Sequence, residues 1–161
     1  RYTFSHHATN YDVRERMIAI KATKEHLVEL LHSGDAPELA LKMGEEQAKR
    51  IEDFEYAFSG VDVYGKVWAM AGLVKDESDE WEAWAIMDMS NGSRMIGITR
   101  LVRAFLDGFS GGDIKAIVNK DFVLGHKWIS MLGFKEKAPD SAHDRGSQSD
   151  VLYILYKDKK G

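Results

Sequence analysis

The sequence predicts an α/β or α+β domain in which a mixed, mostly antiparallel sheet of six to seven strands is flanked by about four helices. Apolar residues recur with a period of two in some segments and of 3.6 in others, which indicates both strands and helices. Three strand-like segments in the middle follow one another with short connections, which indicates an antiparallel meander. The length of 161 residues suits a single domain over 1–161, with 1–12 as an N-terminal extension.

The N-terminal third predicts one strand and two helices. The segment from Met17 to Ala22 alternates in polarity, which is typical of a strand. In "KEHLVELLHSG" the leucines share one face, and Thr23 precedes the segment as a helix cap. A second helix is expected over 35–54, because "DAPE" at its start has the spacing of a capping box.

The middle of the chain predicts three strands and then a helix. The strands are expected at 54–59, 65–74 and 80–89, and the turn-like segments "SGVD" and "KDESDE" separate them. In "GITRLVRAFLDG" the apolar residues follow the spacing of an amphipathic helix from Ile98 onward. We therefore expect this helix to begin near Ile98.

The C-terminal third predicts strands on either side of a short helix. Residues 114–118 form an apolar strand, "DFVLGHKWISML" follows as a helix, and "FKEKAP" and "DVLYILYK" bracket a polar loop at 138–150. The last strand is apolar on both faces. It either pairs across a dimer or lies inside the sheet, so the sequence leaves the oligomeric state open.

The composition disfavours several functions. The formal net charge is −4, which disfavours nucleic-acid binding because no bulk positive field exists to release phosphate counterions. The absence of cysteine excludes disulfides, thiolate zinc sites and cysteine nucleophiles. His6 and His7 are expected to be solvated, since nothing supplies a third metal ligand. No apolar run approaches a membrane span, and we expect a soluble, cytoplasmic protein.

The segment "RMIGIT" at 94–99 is a candidate phosphate site. A strand that ends at Met89 and leads into a helix leaves first-turn N–H groups and the positive end of the helix dipole for an anion. Gly97 removes a side chain where the anion would approach, Arg94 adds charge, and Thr99 supplies a hydroxyl or caps the helix. The alternative is an ordinary strand–helix turn that binds nothing.

Two motifs carry a resemblance to a known family. Residues 94–99 resemble the Arg/Gln-x-x-Gly-x-Gly/Ala pyrophosphate signature of the GNAT family of N-acetyltransferases. "WISMLGF" at 128–134 resembles the family's later helix, which ends in a Leu-Gly-Phe turn. The predicted order of elements over 14–157 also matches that family. A fainter likeness is to small phage-encoded GNAT-like proteins.

The resemblance implies acetyl-coenzyme A (acetyl-CoA) as cofactor and a primary amine as acceptor, acetylated by direct attack in a ternary complex. Backbone groups of Met87 to Met89 would bind the pantetheine arm. The amides from Met95 through Gly97 and Ile98 to Thr99 would wrap the pyrophosphate, beside Arg94. The acceptor is a protein lysine, an N-terminus, a polyamine or an antibiotic.

The sequence departs from the family at two positions. Thr99 occupies the last place of the signature, where Gly or Ala is usual. Ile129 occupies the place of the tyrosine that often protonates the departing thiolate, and an isoleucine donates no proton. His126, one turn earlier, is either a relay through water or a surface helix residue. These departures favour the alternative of a catalytically inactive GNAT-fold protein, such as a phage assembly or host-interaction factor.

The general base is expected on the strand at 80–89. Glu82 falls within about one residue of the glutamate that often serves in the family, and a protonated amine cannot attack a thioester. The alternative is that Glu82 lies at a solvated strand end. Asp88 lies on the same strand face and is expected to contact backbone near the end of the strand. The acidic segment 75–82 either attracts a cationic amine or forms a solvated turn.

Overall fold

The computed structural model describes residues 16–32, 50–90, 92–137 and 150–157. The described part contains seven strands, three α-helices and a 3-10 turn. They are β1 (Met17–Lys21), α1 (Lys24–Leu31), the 3-10 turn (Ile51–Asp53), β2 (Tyr56–Asp62), β3 (Val67–Lys75), β4 (Trp81–Met87), α2 (Gly92–Gly108), β5 (Ile114–Asn119), α3 (Val123–Met131), β6 (Lys135–Glu136) and β7 (Asp150–Leu155).

The strands form one mixed sheet in the order β1-β2-β3-β4-β5-β7-β6. β1 pairs with β2, β5 with β7, and β6 with β7 in antiparallel fashion, whereas β4 and β5 are parallel. The predicted α+β class with a mixed sheet is therefore confirmed. β7 has β5 on one side and β6 on the other, so the last strand lies inside the sheet.

The chain forms two compact units. The first holds the described residues of Arg1–Gly72 and Ala85–Asp107, and the second holds those of Leu73–Trp84 and Gly108–Gly161. One domain over 1–161 stays a prediction.

In the first unit, α1 begins at the predicted cap. The Thr23 hydroxyl accepts from the backbone N–H of His26, and His26 Nδ1 accepts from the backbone N–H of Thr23, which completes a capping box. Since Nδ1 is an acceptor, the buried hydroxyl of Ser59 donates to it at 2.9 Å. Leu27 and Leu30 fill the core on the buried face of α1.

The predicted turn "SGVD" is wrong. These residues belong to β2, and the chain turns instead at 63–66. Ser59 is 0% exposed, and a side chain on Gly60 would contact Met17 and Leu101 at 3.6 Å. These small residues are needed here for close packing. Turn propensities cannot distinguish this use of small residues from a chain reversal.

Four sequence predictions lie wholly or partly outside the described ranges. Residues 35–49 of the predicted helix 35–54 lie outside the described part. Its last residues contain the 3-10 turn Ile51–Asp53. The N-terminal extension and the two adjacent histidines also lie outside it. The same is true of the predicted loop up to residue 149, after which Asp150 begins β7.

In the second unit, the predicted turn "KDESDE" is confirmed. The Asp76 carboxylate accepts from the N–H groups of Ser78 and Glu80, and the Asp76 N–H donates to the Glu80 carbonyl. The Lys115 ammonium on β5 forms an ion pair with Asp76. No helix in the described ranges is long and apolar enough to cross a membrane.

Candidate functional site at the end of β4

The ladder between β4 and β5 is short. It joins Trp81–Ala83 to Ile114–Ala116 and ends there, although β4 continues to Met87. On its β5 edge, β4 has no strand pairing from Ala85 to Met87 among the described residues. Backbone groups on that edge are the kind that can hydrogen-bond an extended ligand.

The helix after β4 begins earlier than the sequence predicts. α2 starts at Gly92, so the predicted start near Ile98 is wrong. The apolar periodicity that located the helix begins only in its second turn, because the first turn contains the small and polar residues Gly92, Ser93 and Arg94. The positive end of the helix dipole therefore lies at Gly92.

This shift changes what the predicted pyrophosphate residues do. From Ile96 to Thr99 the N–H groups lie inside α2, where i→i−4 hydrogen bonds use them. Gly97 and Ile98 are buried on the packed face of the helix. The Thr99 hydroxyl donates to the Met95 carbonyl at 2.6 Å, so Thr99 is not a helix cap. Cofactor binding by Met95, Gly97, Ile98 and Thr99 stays a prediction, and the expected wrapping by their amides does not match this geometry.

Arg94 points its guanidinium at a buried carboxylate. Its Nη2 lies 3.5 Å from Asp62 Oδ2, its Cζ lies 5.5 Å from the centroid of the Trp68 ring, and its side chain is 14% exposed. The Lys66 ammonium lies 4.1 Å from the same ring centroid. The expected role of the Arg94 side chain as a phosphate ligand stays a prediction, and in this structure the side chain links α2 to the β2–β3 hairpin.

Asp62 uses both of its carboxylate oxygens. Oδ1 accepts from the N–H groups of Tyr64 and Lys66 at 2.8 and 3.0 Å, and Oδ2 accepts from Trp68 Nε1 at 2.9 Å and faces Arg94. Burial, the largest influence, raises the pKa of Asp62, but these hydrogen bonds and Arg94 together lower it below the usual value. The carboxylate therefore holds the hairpin and the first turn of α2 together.

Asp88 is the second buried carboxylate among the described residues of this unit, and it is 5% exposed. Its N–H donates to the Trp68 carbonyl at 3.0 Å, which fixes the chain just beyond β4. Its Oδ1 accepts from the N–H of Ser90 at 3.0 Å and from the Ser90 hydroxyl at 2.5 Å. The predicted contact of Asp88 with backbone is confirmed.

Glu82 lies in the second unit, directly opposite Lys115 in the parallel ladder. The hydrogen bond from Lys115 to Asp76 is the largest of the influences that raise the pKa of Lys115, and the charges of Asp76, Glu82 and Glu80 add to it. Glu82 is half-buried and one residue before the end of the ladder. Its role as a base stays a prediction.

α3 contains the positions where the family has its acid. Ile129 is buried in the core. His126 is half-buried, and its Nε2 donates to the Asn119 carbonyl at 2.9 Å, while its Nδ1 is hydrogen-bonded to the Tyr153 hydroxyl at 2.8 Å. His126 is therefore a connection between α3, β7 and the end of β5 rather than a simple surface residue.

Sequence reasoning missed Asp62, Trp68 and Tyr153. Asp62 had a local signal, because an aspartate directly before a glycine-containing turn often binds turn N–H groups. The partners Arg94 and His126 come from distant elements, so no local pattern could indicate those contacts.

The architecture defines the class of protein: the chain has the GNAT acetyltransferase fold. No protein-family model and no curated protein matches the sequence. A GNAT-family acetyltransferase from Bacillus cereus ATCC 10987 is similar in structure, with a TM-score of 0.62 and 13% identity, over 90% of this chain and 99% of that one.

Two further neighbours are acetyltransferases that are named for their acceptors. A variant of the spermidine N-acetyltransferase of Vibrio cholerae has a TM-score of 0.59 and 15% identity, over 88% of this chain and 94% of that one. The ribosomal-protein-S5-alanine acetyltransferase of Vibrio fischeri has a TM-score of 0.59 and 14% identity, over 90% and 95%. All three neighbours are bacterial and give no support to the likeness with phage proteins.

Proposed function

We propose that this protein is an acetyl-CoA-dependent N-acetyltransferase that acetylates a primary amine. The GNAT fold supports the proposal, and the observation that carries it is the early end of the β4–β5 ladder. Beyond Ala83, β4 offers backbone groups on an edge that strand pairing does not use among the described residues. Structural neighbours that acetylate spermidine or a ribosomal-protein alanine point to an amine as acceptor.

The residues around the start of α2 fit the cofactor in part. Gly92 is exposed, and a side chain there would meet none of the described atoms within 4 Å, so a phosphate has room to approach. The first turn of α2 would hold the pyrophosphate with its main chain, in place of the predicted Met95–Thr99. The backbone of Met87 and Met89 would hold the pantetheine arm. The Arg94 side chain contributes a positive charge nearby while it stays paired with Asp62.

Bound acetyl-CoA would supply an activated acetyl group. The protein must then orient the amine and accept its proton, and Glu82 is the sequence-based candidate for that task. Ile129 leaves α3 without a proton donor at the family's tyrosine position, so the departing thiolate would take its proton through water.

A second candidate function is a GNAT-fold binding protein without catalysis. Two observations favour it: the pairing of Arg94 with Asp62, and the burial of Ile129 in the core. The two functions differ in a simple way, because only the enzyme releases thiol when an amine is added.

The cofactor is tested by thermal and urea unfolding with and without acetyl-CoA. A ligand at 100 times its Kd adds about 2.7 kcal/mol to the free energy of unfolding. We expect Gly92→Val to abolish this gain. Gly108→Val is the matched control, because Gly108 also has open space around it but lies at the other end of α2.

Thiol release is then measured with spermidine, an N-terminal alanine peptide, a lysine peptide and an aminoglycoside. Stabilisation with thiol release supports the enzyme, and stabilisation without it supports the binding protein. No stabilisation at millimolar acetyl-CoA contradicts the proposed function.

A further inference from the structure

We propose that Asp88, rather than Glu82, is the carboxylate that binds the ammonium group of the acceptor amine and takes its proton. This inference rests on the proposed function and names the residue that would act as the base in the acetyl transfer. It comes from the bonding of Asp88, which differs from that of the other acidic residues near the site.

Asp88 is buried but only half bonded. Both hydrogen bonds that it accepts end on Oδ1, and both come from Ser90. Oδ2 accepts none from the described residues. A carboxylate oxygen that is withdrawn from water is strongly favoured to accept a hydrogen bond from a cation.

The position of Asp88 also suits an amine. It lies between Met87 and Met89, whose backbone would hold the pantetheine arm, and in the same compact unit as the start of α2. Its own N–H is fixed by the Trp68 carbonyl, and the Ser90 bonds fix Oδ1. The remaining oxygen is therefore held in place before a ligand arrives.

The other two acidic residues have a cation beside them. Asp62 has donors or a guanidinium at both oxygens. Glu82 lies opposite Lys115 in the parallel ladder, and its negative charge helps to raise the pKa of Lys115, which forms ion pairs with Asp76 and Glu80.

The proton step balances as follows. Asp88 Oδ2 takes one proton from the ammonium and leaves a neutral amine with a lone pair. The amine nitrogen forms a bond to the acetyl carbon as the carbon–sulfur bond breaks, and sulfur keeps that electron pair. The second proton of the nitrogen passes through water to the sulfur, and Asp88 returns its proton to solvent.

Three matched variants test this assignment. Asp88→Asn keeps an oxygen for the two Ser90 donors and removes the negative charge. Ser90→Ala removes one of those donors and keeps the charge, and Glu82→Gln removes the competing base. Each variant is measured for its stabilisation by acetyl-CoA and for kcat and KM as a function of pH. Its affinity for spermidine is measured by calorimetry at about 150 mM NaCl, where long-range charge effects are screened.

We expect Asp88→Asn to keep the acetyl-CoA stabilisation, to weaken spermidine binding about tenfold or more, and to lower kcat by about 10²–10⁴-fold, the usual contribution of a general base. Its kcat should also lose the acidic limb of the pH profile. Ser90→Ala should lower kcat less than Asp88→Asn does, because the Ser90 N–H still donates to Oδ1, and Glu82→Gln should keep the acidic limb of the pH profile.

The outcomes separate the two proposals. If wild type is stabilised by acetyl-CoA and releases thiol, but Asp88→Asn matches it in rate and spermidine affinity, the inference about Asp88 is wrong and the proposed function stands. A Glu82→Gln variant that loses the acidic limb also overturns it. If wild type is not stabilised by acetyl-CoA, both proposals are wrong.

Discussion

Two buried aspartates in the same compact unit differ in one respect. Asp62 and Asp88 are each 5% exposed, but within the described ranges Asp62 is bonded at both oxygens and Asp88 at one. The Asp62 carboxylate connects the β2–β3 hairpin to α2, so its negative charge stabilises the fold. The second retains an oxygen with no assigned partner in the described structure, and a fold has no stability reason to keep a half-bonded charge out of water. The comparison separates a structural acid from a candidate functional one.

The largest expected effect is the removal of Asp62. Asp62→Ala should lower the free energy of unfolding by about 3–5 kcal/mol, because breaking a buried charge pair strands its partners. Trp68 Nε1 and the N–H groups of Tyr64 and Lys66 would lose their acceptor. Urea unfolding measures the change. Asp107→Ala on the exposed side of α2 is the control and should stay within about 0.5 kcal/mol. An Asp62→Ala loss below about 1 kcal/mol would contradict the structural role.

The pH dependence of the free energy of unfolding also tests the structural role of Asp62. The pKa of Asp62 is lowered on folding, so its contribution is fully present above the unfolded-state value of about 3.9 and is lost as the pH falls through the lower folded-state value. The stability difference between wild type and Asp62→Asn should be constant from about pH 7 to pH 5 and shrink below about pH 4. Chemical unfolding at each pH measures it, and a difference that grows in acid would contradict the assignment.

Arg94 should have an intermediate effect. Arg94→Ala should cost about 1–2 kcal/mol, near the lower end of hydrogen bonds to charged groups, because its contact with Asp62 is 3.5 Å long. The side chain is paired within the protein, so the stabilisation by acetyl-CoA should change little in this variant. Arg94→Gln is the control for side-chain packing against Trp68. Loss of acetyl-CoA stabilisation in both variants would show that the guanidinium leaves Asp62 to bind the cofactor.

Local sequence chemistry predicted much of the fold. Thr23 was identified as a cap because its hydroxyl needs only a donor three residues away, and the Asp76 turn is equally local. Both features depend on neighbours along the chain. Periodicity placed the core of α2 correctly for the same reason, since Ile98 and Leu106 are buried on one face.

Tertiary contacts account for the errors. Ser59 and Gly60 have the composition of a turn but pack inside β2, because the distant His26 and Leu101 meet them there. The sequence places the start of α2 too late because its first three residues, Gly92, Ser93 and Arg94, are not apolar. In the candidate site, the role of Arg94 depends on Asp62, which is remote in sequence, so the motif indicated the region but not the contact.

The smallest expected effect on stability is that of Asp88→Asn. Whether this variant gains or loses stability is the most direct test of the difference between Asp88 and Asp62. Asparagine keeps an oxygen for both Ser90 donors and removes a charge that has no positively charged partner in the described part of the chain. The variant should therefore be neutral or more stable by up to about 1 kcal/mol, as expected where a site sacrifices stability for function. Asp62→Asn, the same substitution at the fully bonded aspartate, is the matched control and should destabilise. Urea unfolding at pH 7 measures the free energy of unfolding of both variants. If both lose the same amount of stability, Asp88 is a structural residue like Asp62, and its proposed role in binding the amine is wrong.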